Sequence, residues 1–276
     1  MNQSDYMIII PAKDVGLKIK PVLNKLLDKK GNVIIVDDGS TDNTNHVIED
    51  VGFKCIKHEE NRGLSHAIHS GLEYAEANGF KYAITLDADG QHDPEYVEEF
   101  ITKLDQYDCV LGNRFYDISD IPSCKIASNL LASLIVYSIT GIKLSDVSCG
   151  YHGFKLGVLP DQSSISGFEV VYEQLFSILE KGISFTTVSI PVVYPSDELL
   201  CTKVGEIISL MNVSIRHCHK RSFLPTLESI MDNAVYRKDI HVVVEGYVFH
   251  CFYLPHMDSY ICQTDMAKVK QFYHHE

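Results

Sequence analysis

The chain has 276 residues, 45% hydrophobic and 22% charged, with a mean hydropathy near zero; at roughly 100–200 residues per domain this is one large domain or a domain with an appendage, and the composition excludes disorder, collagen and disulfide-dense miniproteins. Such a length buries roughly 70–75% of its unfolded surface. Lys and Arg number 24 against 37 Asp and Glu, for a net charge of -13, the wrong sign for a protein that coats nucleic acid or anionic lipid through its overall field, so an anionic substrate has to be met by a local device.

Taken in chain order, the first half alternates short β-branched runs with helical patterns, as βα units feeding a mostly parallel sheet do. Met7 to Pro11, Asn32 to Asp37 and Tyr82 to Asp87 are apolar on both faces, as central parallel strands require, and Phe53 to Lys57 and Cys109 to Gly112 are shorter candidates. Leu17 to Lys29 and Ser65 to Asn78 carry apolar residues at helical spacing, with Gly79 as a stop for the second. After about residue 120 the pattern changes to helices at 125–140 and 169–181, an extended run from Ser184 to Tyr194, and a helical, locally basic segment over 201–238. Ile240 to Leu254 then reads as two strands turning near Glu245-Gly246. These shifts predict a domain over 1–200 and an extension, helical and then a β-hairpin, over 201–276.

Ile126 to Ile142 comes nearest to the ~18 consecutive apolar residues of a membrane span, but Ser, Asn, Thr and Gly interrupt it; an amphipathic or buried helix is expected. The eight cysteines stand outside CxxC pairs and no charged-then-apolar leader opens the chain, which fits a reducing cytosol. The histidines and cysteines between His217 and Cys262 lack the short paired spacings of a structural zinc site. The Tyr- and Phe-rich segment 247–253 fits a packing surface or a homodimer strand.

Chemistry concentrates in two acidic turns at strand ends. Val36 to Thr44 reads VDDGSTDNT: Gly39 permits a tight turn and Ser40 to Asp42 can cap the next helix, which leaves Asp37 and Asp38 as acceptors for a base N–H or ribose hydroxyl, or as part of a solvated turn. Leu86 to Glu95 reads LDADGQHDPE. Asp87 and Asp89, two apart, can straddle one hard cation with Gln91 as a further oxygen, and Mg²⁺ or Mn²⁺ so held completes its shell with water and substrate phosphate. A calcium loop of EF-hand type does not fit here; Pro94-Glu95 starts a helix instead.

These two turns, in this order, resemble the inverting glycosyltransferases of family 2, on the α/β GT-A fold with its Rossmann-like, mostly parallel sheet flanked by helices, and within them the polyprenyl-phosphate sugar transferases of dolichol-phosphate mannosyltransferase type. The resemblance covers roughly residues 6–195. It implies that Pro11, Ala12 and Asp14 grip the base, that Asp37 or Asp38 binds base or ribose, and that Asp87, Asp89 and Gln91 hold metal and diphosphate. Asn61-Arg62-Gly63 is similar to the family's glycine-marked connector. Gly112-Asn113-Arg114 resembles its Gly-Ser-Arg, whose arginine faces lipid phosphate or diphosphate. Asp146 to Phe154 resembles its acceptor-side loop, with His152 where Arg or Lys is usual, and Gly167-Phe168 with Glu173 resembles the helix that follows. Lys13-Asp14 stands in place of Tyr-Asn-Glu, and the basic segment expected after Tyr194 is replaced by Pro195 to Glu198.

Cleaving a sugar–diphosphate bond builds negative charge on the leaving group, which a divalent cation and cationic side chains such as Arg114 and Lys125 can stabilise. A phosphate monoester acceptor, with a second pKa near ~6, needs no general base. A hydroxyl acceptor needs one, and Asp146, Glu169 and Glu173 are the candidates. The expected catalytic groups are therefore Asp89, Arg114 and Asp146, and the expected partners a nucleoside diphosphate sugar and a polyprenyl phosphate or other glycan acceptor, reached from the cytoplasm or the membrane periphery. A transferase to a hydroxyl of a saccharide or protein and a non-catalytic GT-A binding or assembly protein are the rival readings. The first strand is not followed by a glycine-rich loop, against nucleotidylyltransferases and dinucleotide dehydrogenases.

Overall fold

A computed structural model describes residues 5–159, 165, 167–191 and 202–273. The chain divides into two compact units, one drawn from within Met1–Gly112, Cys149–Val170 and Lys181–Tyr194, the other from within Asn113–Ser148, Val171–Glu180 and Pro195–Glu276. The boundary expected at 200 and 201, and Val192 to Tyr194 at the end of the expected extended run, fall outside the described residues.

The first unit begins β1 (Tyr6–Ala12), α1 (Ile19–Lys25), β2 (Val33–Asp37), α2 (Thr44–Val51), β3 (Lys54–Lys57), α3 (Leu64–Ala77), β4 (Tyr82–Thr85), α4 (Val97–Leu104) and β5 (Cys109–Asn113). After α5 (Ser123–Thr140) of the second unit come β6 (His152–Lys155) and β7 (Phe185–Ser189), separated by α6 (Glu169–Glu180), most of which belongs to the second unit. The seven strands form one sheet in the order β3-β2-β1-β4-β6-β5-β7. β3, β2, β1 and β4 run parallel, whereas β6 lies antiparallel to both β4 and β5. The sheet is thus mostly parallel, as expected, with a reversed strand inserted where no strand was predicted.

Pro11 is tolerated in a central strand for a reason visible in the register. Ile9 O accepts from Leu86 on the β4 side and Ala12 O accepts from Asp38 on the β2 side. Pro11 shares the orientation of Ile9, and pairing of β1 with β4 ends at Ile9↔Thr85, so its missing N–H costs no ladder bond. Beyond that point β1, β2 and β4 all release their carboxyl ends on one side, the crevice where ligands bind in open α/β sheets.

α3 lies close on β1 because Gly71 has no side chain: a Cβ there would stand 2.3 Å from Ile9 Cγ2. That atom is a stiff β-branch rather than a flexible tip. Gly71→Ala is expected to lower stability by about 1–3 kcal/mol through overpacking, seen as a lower urea midpoint at unchanged slope.

In the second unit, α5 is followed by β8 (Thr202–Lys203), α7 (Val204–His217), α8 (Leu224–Val235), β9 (Ile240–Val244), β10 (Tyr247–Leu254), β11 (Ser259–Thr264) and α9 (Met266–Tyr273). By length and composition α5 could cross a membrane, yet 61% of its apolar window is buried within the protein; it packs against α7, α9, β9 and β11 as the core helix of this unit. The expected hairpin is present, with Glu245 and Gly246 both at positive φ (48° and 79°), the signature of a two-residue type I′ turn. It belongs to a larger antiparallel sheet, β8-β11-β10-β9. Cys251 and Cys262, directly opposite across β10 and β11, are disulfide-bonded. This departs from the all-thiol state that fits a reducing cytosol, since cross-strand register pairs residues whose spacing in sequence carries no such signal.

Candidate active site

In the first unit, β4 ends at Thr85 and the chain turns through Asp87, Ala88 and Asp89, with Gly90 at φ 84°. Ala88 is buried, so the flanking carboxylates emerge on either side of an anchored residue. Asp89 Oδ1 accepts the Gln91 N–H at 2.9 Å. Burial pushes the Asp89 carboxyl up from its usual range, and the neighbouring Asp87 charge adds to this, against lowering from the Gln91 N–H and from His92 and Lys18. A divalent cation would relieve that cost, and the donor set is all oxygen, as a hard cation requires. Among the described residues no group of three or more His, Cys, Asp or Glu side chains forms a metal cage; Mg²⁺ with one or two carboxylates, water and substrate phosphate does not require one.

Two residues behind Asp87 were not singled out in the sequence. His92, almost wholly buried, sets Nδ1 3.2 Å from Asp87 Oδ2 and Nε2 3.7 Å from Cys149 Sγ. Gly150 lies so close that a Cβ would stand 2.9 and 3.1 Å from the two Asp87 oxygens. Gly150→Ala removes no ligand and is expected to displace the Asp87 carboxylate, weakening Mn²⁺ binding, measured calorimetrically, on the order of tenfold or more, by analogy with losses of outer-shell partners.

The other acidic turn separates its two carboxylates. Asp38 is buried and turned into the protein: Oδ1 accepts from Arg62 N–H at 2.9 Å and meets His58 Nδ1 at 2.7 Å, while Oδ2 accepts from Gly63 N–H at 2.7 Å. His58 continues to Ser70 Oγ on α3 at 3.0 Å. Asp38 therefore fastens the connector Asn61-Arg62-Gly63 to the end of β2, which leaves Asp37 as the freer of the two carboxylates expected at base or ribose. Asp37 Oδ1 accepts the Ser40 N–H at 2.9 Å, but its Oδ2 is buried without a hydrogen-bond partner among the described residues, an acceptor left unfilled where that is costly.

Pro11 and Ala12 end β1 beside this turn. Asp14, at φ 48°, accepts from Thr41 N–H at 2.7 Å and pairs with Lys13 at 3.1 Å; the Thr41 bond, then Lys13, holds its carboxyl below the usual range. Lys13 also donates to Gly39 O at 2.6 Å. In place of an aromatic that stacks on a base, Lys13-Asp14 pin the turn after β2. His152 is likewise not on an acceptor loop: it is buried on β6 between Thr85 and Leu111, because the stretch expected to form that loop enters the sheet.

In the second unit, Arg114 and Asp146 are committed to one another. Arg114 Nε and Nη2 donate to Asp146 Oδ2 and Oδ1 at 2.7 and 2.8 Å, Nη2 also reaches Ser148 Oγ at 2.9 Å, and the Arg114 backbone N–H adds a bond to Oδ2 at 3.0 Å. Burial raises the Asp146 carboxyl, but the Arg114 charge and its hydrogen bonds outweigh it and hold the group below the usual range. A buried, ion-paired carboxylate of lowered pKa is a poor proton acceptor, which corrects the reading of Asp146 as a base.

Glu173 is similarly engaged, by Arg216 at 3.0 Å and His217 at 2.9 Å; burial works to raise it, but the hydrogen bonds to these two side chains bring it below its usual range. Lys125, in the first turn of α5, shares its surroundings with a residue the sequence did not reveal, Glu206 on α7. Burial raises the Glu206 carboxyl, and the charges of Lys125, Lys203 and Arg114 act against that. Three cations thus converge electrostatically with Asp146 and Glu206 in an otherwise acidic chain.

A mostly parallel sheet with carboxylates gathered beyond its carboxyl ends is the architecture of the GT-A glycosyltransferases. Crystal structures of glucosyl-3-phosphoglycerate synthase from Mycobacterium tuberculosis share the fold; one with Mn²⁺, UDP and glucosyl-3-phosphoglycerate bound aligns over 76% of this chain and 80% of that one, with a TM-score of 0.56 and 17% identity. Residues 7–161, more than half of the chain, match the model of glycosyl transferase family 2, and the chain belongs to that family. Among its relatives are the UDP-N-acetylglucosamine–dolichyl-phosphate N-acetylglucosaminyltransferase of Methanococcus voltae, 30% identical over 68% of this chain and 85% of that protein, and the dolichol-phosphate mannosyltransferase of Saccharomyces cerevisiae, 28% identical over 62% and 70%.

Proposed function

We propose that this glycosyltransferase moves a sugar, with inversion, from a nucleoside diphosphate to a polyprenyl phosphate at a membrane surface. Asp87 and Asp89, with Gln91, would hold Mg²⁺ or Mn²⁺, which when bound neutralises the charge that collects on the departing diphosphate. Asp37 Oδ2, buried and without a partner among the described residues, is the acceptor offered to the base or ribose. An electron pair on the acceptor phosphate oxygen forms the new bond to the anomeric carbon from the face opposite the diphosphate. The old C–O bond breaks, and the nucleoside diphosphate leaves with its electrons.

The observation that carries the phosphate acceptor is the engagement of two of the three candidate bases, Asp146 and Glu173. Asp146 and Glu173 are held in ion pairs, whereas a phosphate that is largely dianionic at neutral pH needs no proton removed. The relatives from Methanococcus voltae and Saccharomyces cerevisiae, named for transfer to lipid phosphates, support the same acceptor. Within the second unit, Lys125 and Lys203 place positive charge about Glu206 in a chain whose overall charge is -13.

One feature favours the hydroxyl-acceptor reading: Glu206 is half-buried and its carboxyl is raised, as a general base is when tuned toward neutrality. Incubation with GDP-, UDP- and dTDP-sugars, Mn²⁺ and a short-chain polyprenyl phosphate separates the two. Sugar appearing on the lipid phosphate, at a rate that Glu206→Gln leaves within a few-fold, is the expected result. Turnover confined to a saccharide hydroxyl and abolished by Glu206→Gln would overturn it.

A further inference from the structure

The C-terminal sheet presents a row of nitrogen donors on its outward face. The type I′ turn at Glu245-Gly246 sets the register of β9 on β10, pairing Val244 with Tyr247 and, three steps on, His241 with His250. Bonded and non-bonded pairs alternate away from a two-residue turn, so His241 and His250 face each other at a non-hydrogen-bonded position, where side chains lie closest. Both rings are exposed, and their Nδ1 atoms are 2.8 Å apart. Gln263 stands opposite His250 on β11, exposed in the same row. The disulfide between Cys251 and Cys262, the next residue pair, holds β10 and β11 in that register.

We propose that His241 and His250 form a two-imidazole site for a divalent transition metal of tetragonal preference, Ni²⁺ or Cu²⁺, with water and the Gln263 side-chain oxygen available to complete the shell. Two metal–nitrogen bonds of about 2.05 Å span about 2.9 Å at a right angle and about 3.3 Å at the tetrahedral angle. The observed 2.8 Å matches the first, and tetragonal nitrogen sites are those of Cu²⁺ and Ni²⁺. In the metal-free protein one neutral ring donates its Nδ1 proton to the other. On binding, that proton moves to Nε2 through solvent and both Nδ1 lone pairs turn to the metal, with no net proton released. The consequence is structural: β9 is the sheet's edge strand, and the metal ties it to β10. Because the ligands are imidazoles, this site is chemically distinct from the oxygen set at Asp87 and Asp89, and a hard cation does not compete for it.

The test uses the full chain without an affinity tag, its disulfide intact, in excess Mg²⁺. Calorimetric titration with Ni²⁺ is expected to show one site per chain and a melting temperature that rises with the logarithm of Ni²⁺ concentration. Cu²⁺ in the same protein is expected to give an electron paramagnetic resonance spectrum split by two equivalent nitrogens. His241→Gln with His250→Gln, both on an exposed face, should remove the site and the splitting while leaving the metal-free melting temperature unchanged. Equal Ni²⁺ affinity in the wild type and the double variant, or a Cu²⁺ spectrum unchanged by the substitutions, would overturn the proposal, the other eleven of the 13 histidines then accounting for any binding.

Discussion

Asp89→Ala is expected to abolish metal-dependent binding of the sugar donor and to cut turnover on the order of a hundred- to a thousand-fold or more, the cost of removing one preorganised stabiliser of leaving-group charge. The carboxylate is exposed and stands after a buried anchor, Ala88, so the alanine variant removes the proposed ligand without opening a cavity. Stability should therefore hold as activity collapses. Fluorescence or calorimetric titration of nucleoside diphosphate with and without Mn²⁺ reads the binding, and a urea melt reads the fold. A variant that keeps Mn²⁺-dependent donor affinity would remove the carboxylate pair from the site altogether.

The parts of this arrangement that were legible in the sequence are those set by neighbours along the chain. β1, β2 and β4 announce themselves as apolar runs because both their faces are covered, and the turn at Glu245-Gly246 follows from a pair able to take positive φ. What was not legible depends on partners distant in sequence. Asp37 and Asp38 are adjacent and identical in type, and only Arg62, Gly63 and His58, brought over by the connector after β3, distinguish them, by engaging Asp38. β6 escaped prediction because it is four residues long, contains Gly153 and shows no alternation, being buried on both sides of the sheet. Gly153 is needed there, since a Cβ would press within 3.2 Å of Leu104 and Phe100. Without that strand His152 and Gly150 read as loop residues; with it, one is interior and the other backs Asp87. His92 lies inside the acidic turn Leu86 to Glu95, but its role depends on a carboxylate five residues earlier folding back over it.

The 32-residue separation of Arg114 and Asp146 likewise hid the strongest structural pair in the second unit. Asp146→Ala is expected to cost about 3–5 kcal/mol, because it strands a largely buried guanidinium that the carboxylate now neutralises. Replacing both, Arg114→Met with Asp146→Leu, should recover much of that loss, since well-packed apolar residues commonly substitute for a buried pair without penalty. Activity distinguishes a scaffold from a substrate contact: a double variant that refolds but transfers no sugar assigns the guanidinium to phosphate, and one that transfers at near wild-type rate confines the pair to folding. The same carboxylate makes a pH prediction. Its folded pKa lies below the usual value near ~3.9, so the unfolded chain binds its proton first as pH falls. The stabilisation from the pair is complete above ~4 and is lost as pH drops through the folded pKa. Unfolding free energies of the wild type and of Asp146→Asn, measured by urea melts from pH 7 down to the acid limit, should differ by a constant amount above that window and converge within it. A difference that instead narrows between pH 7 and 5 would mean that Arg114 does not hold Asp146 ionised in the folded protein.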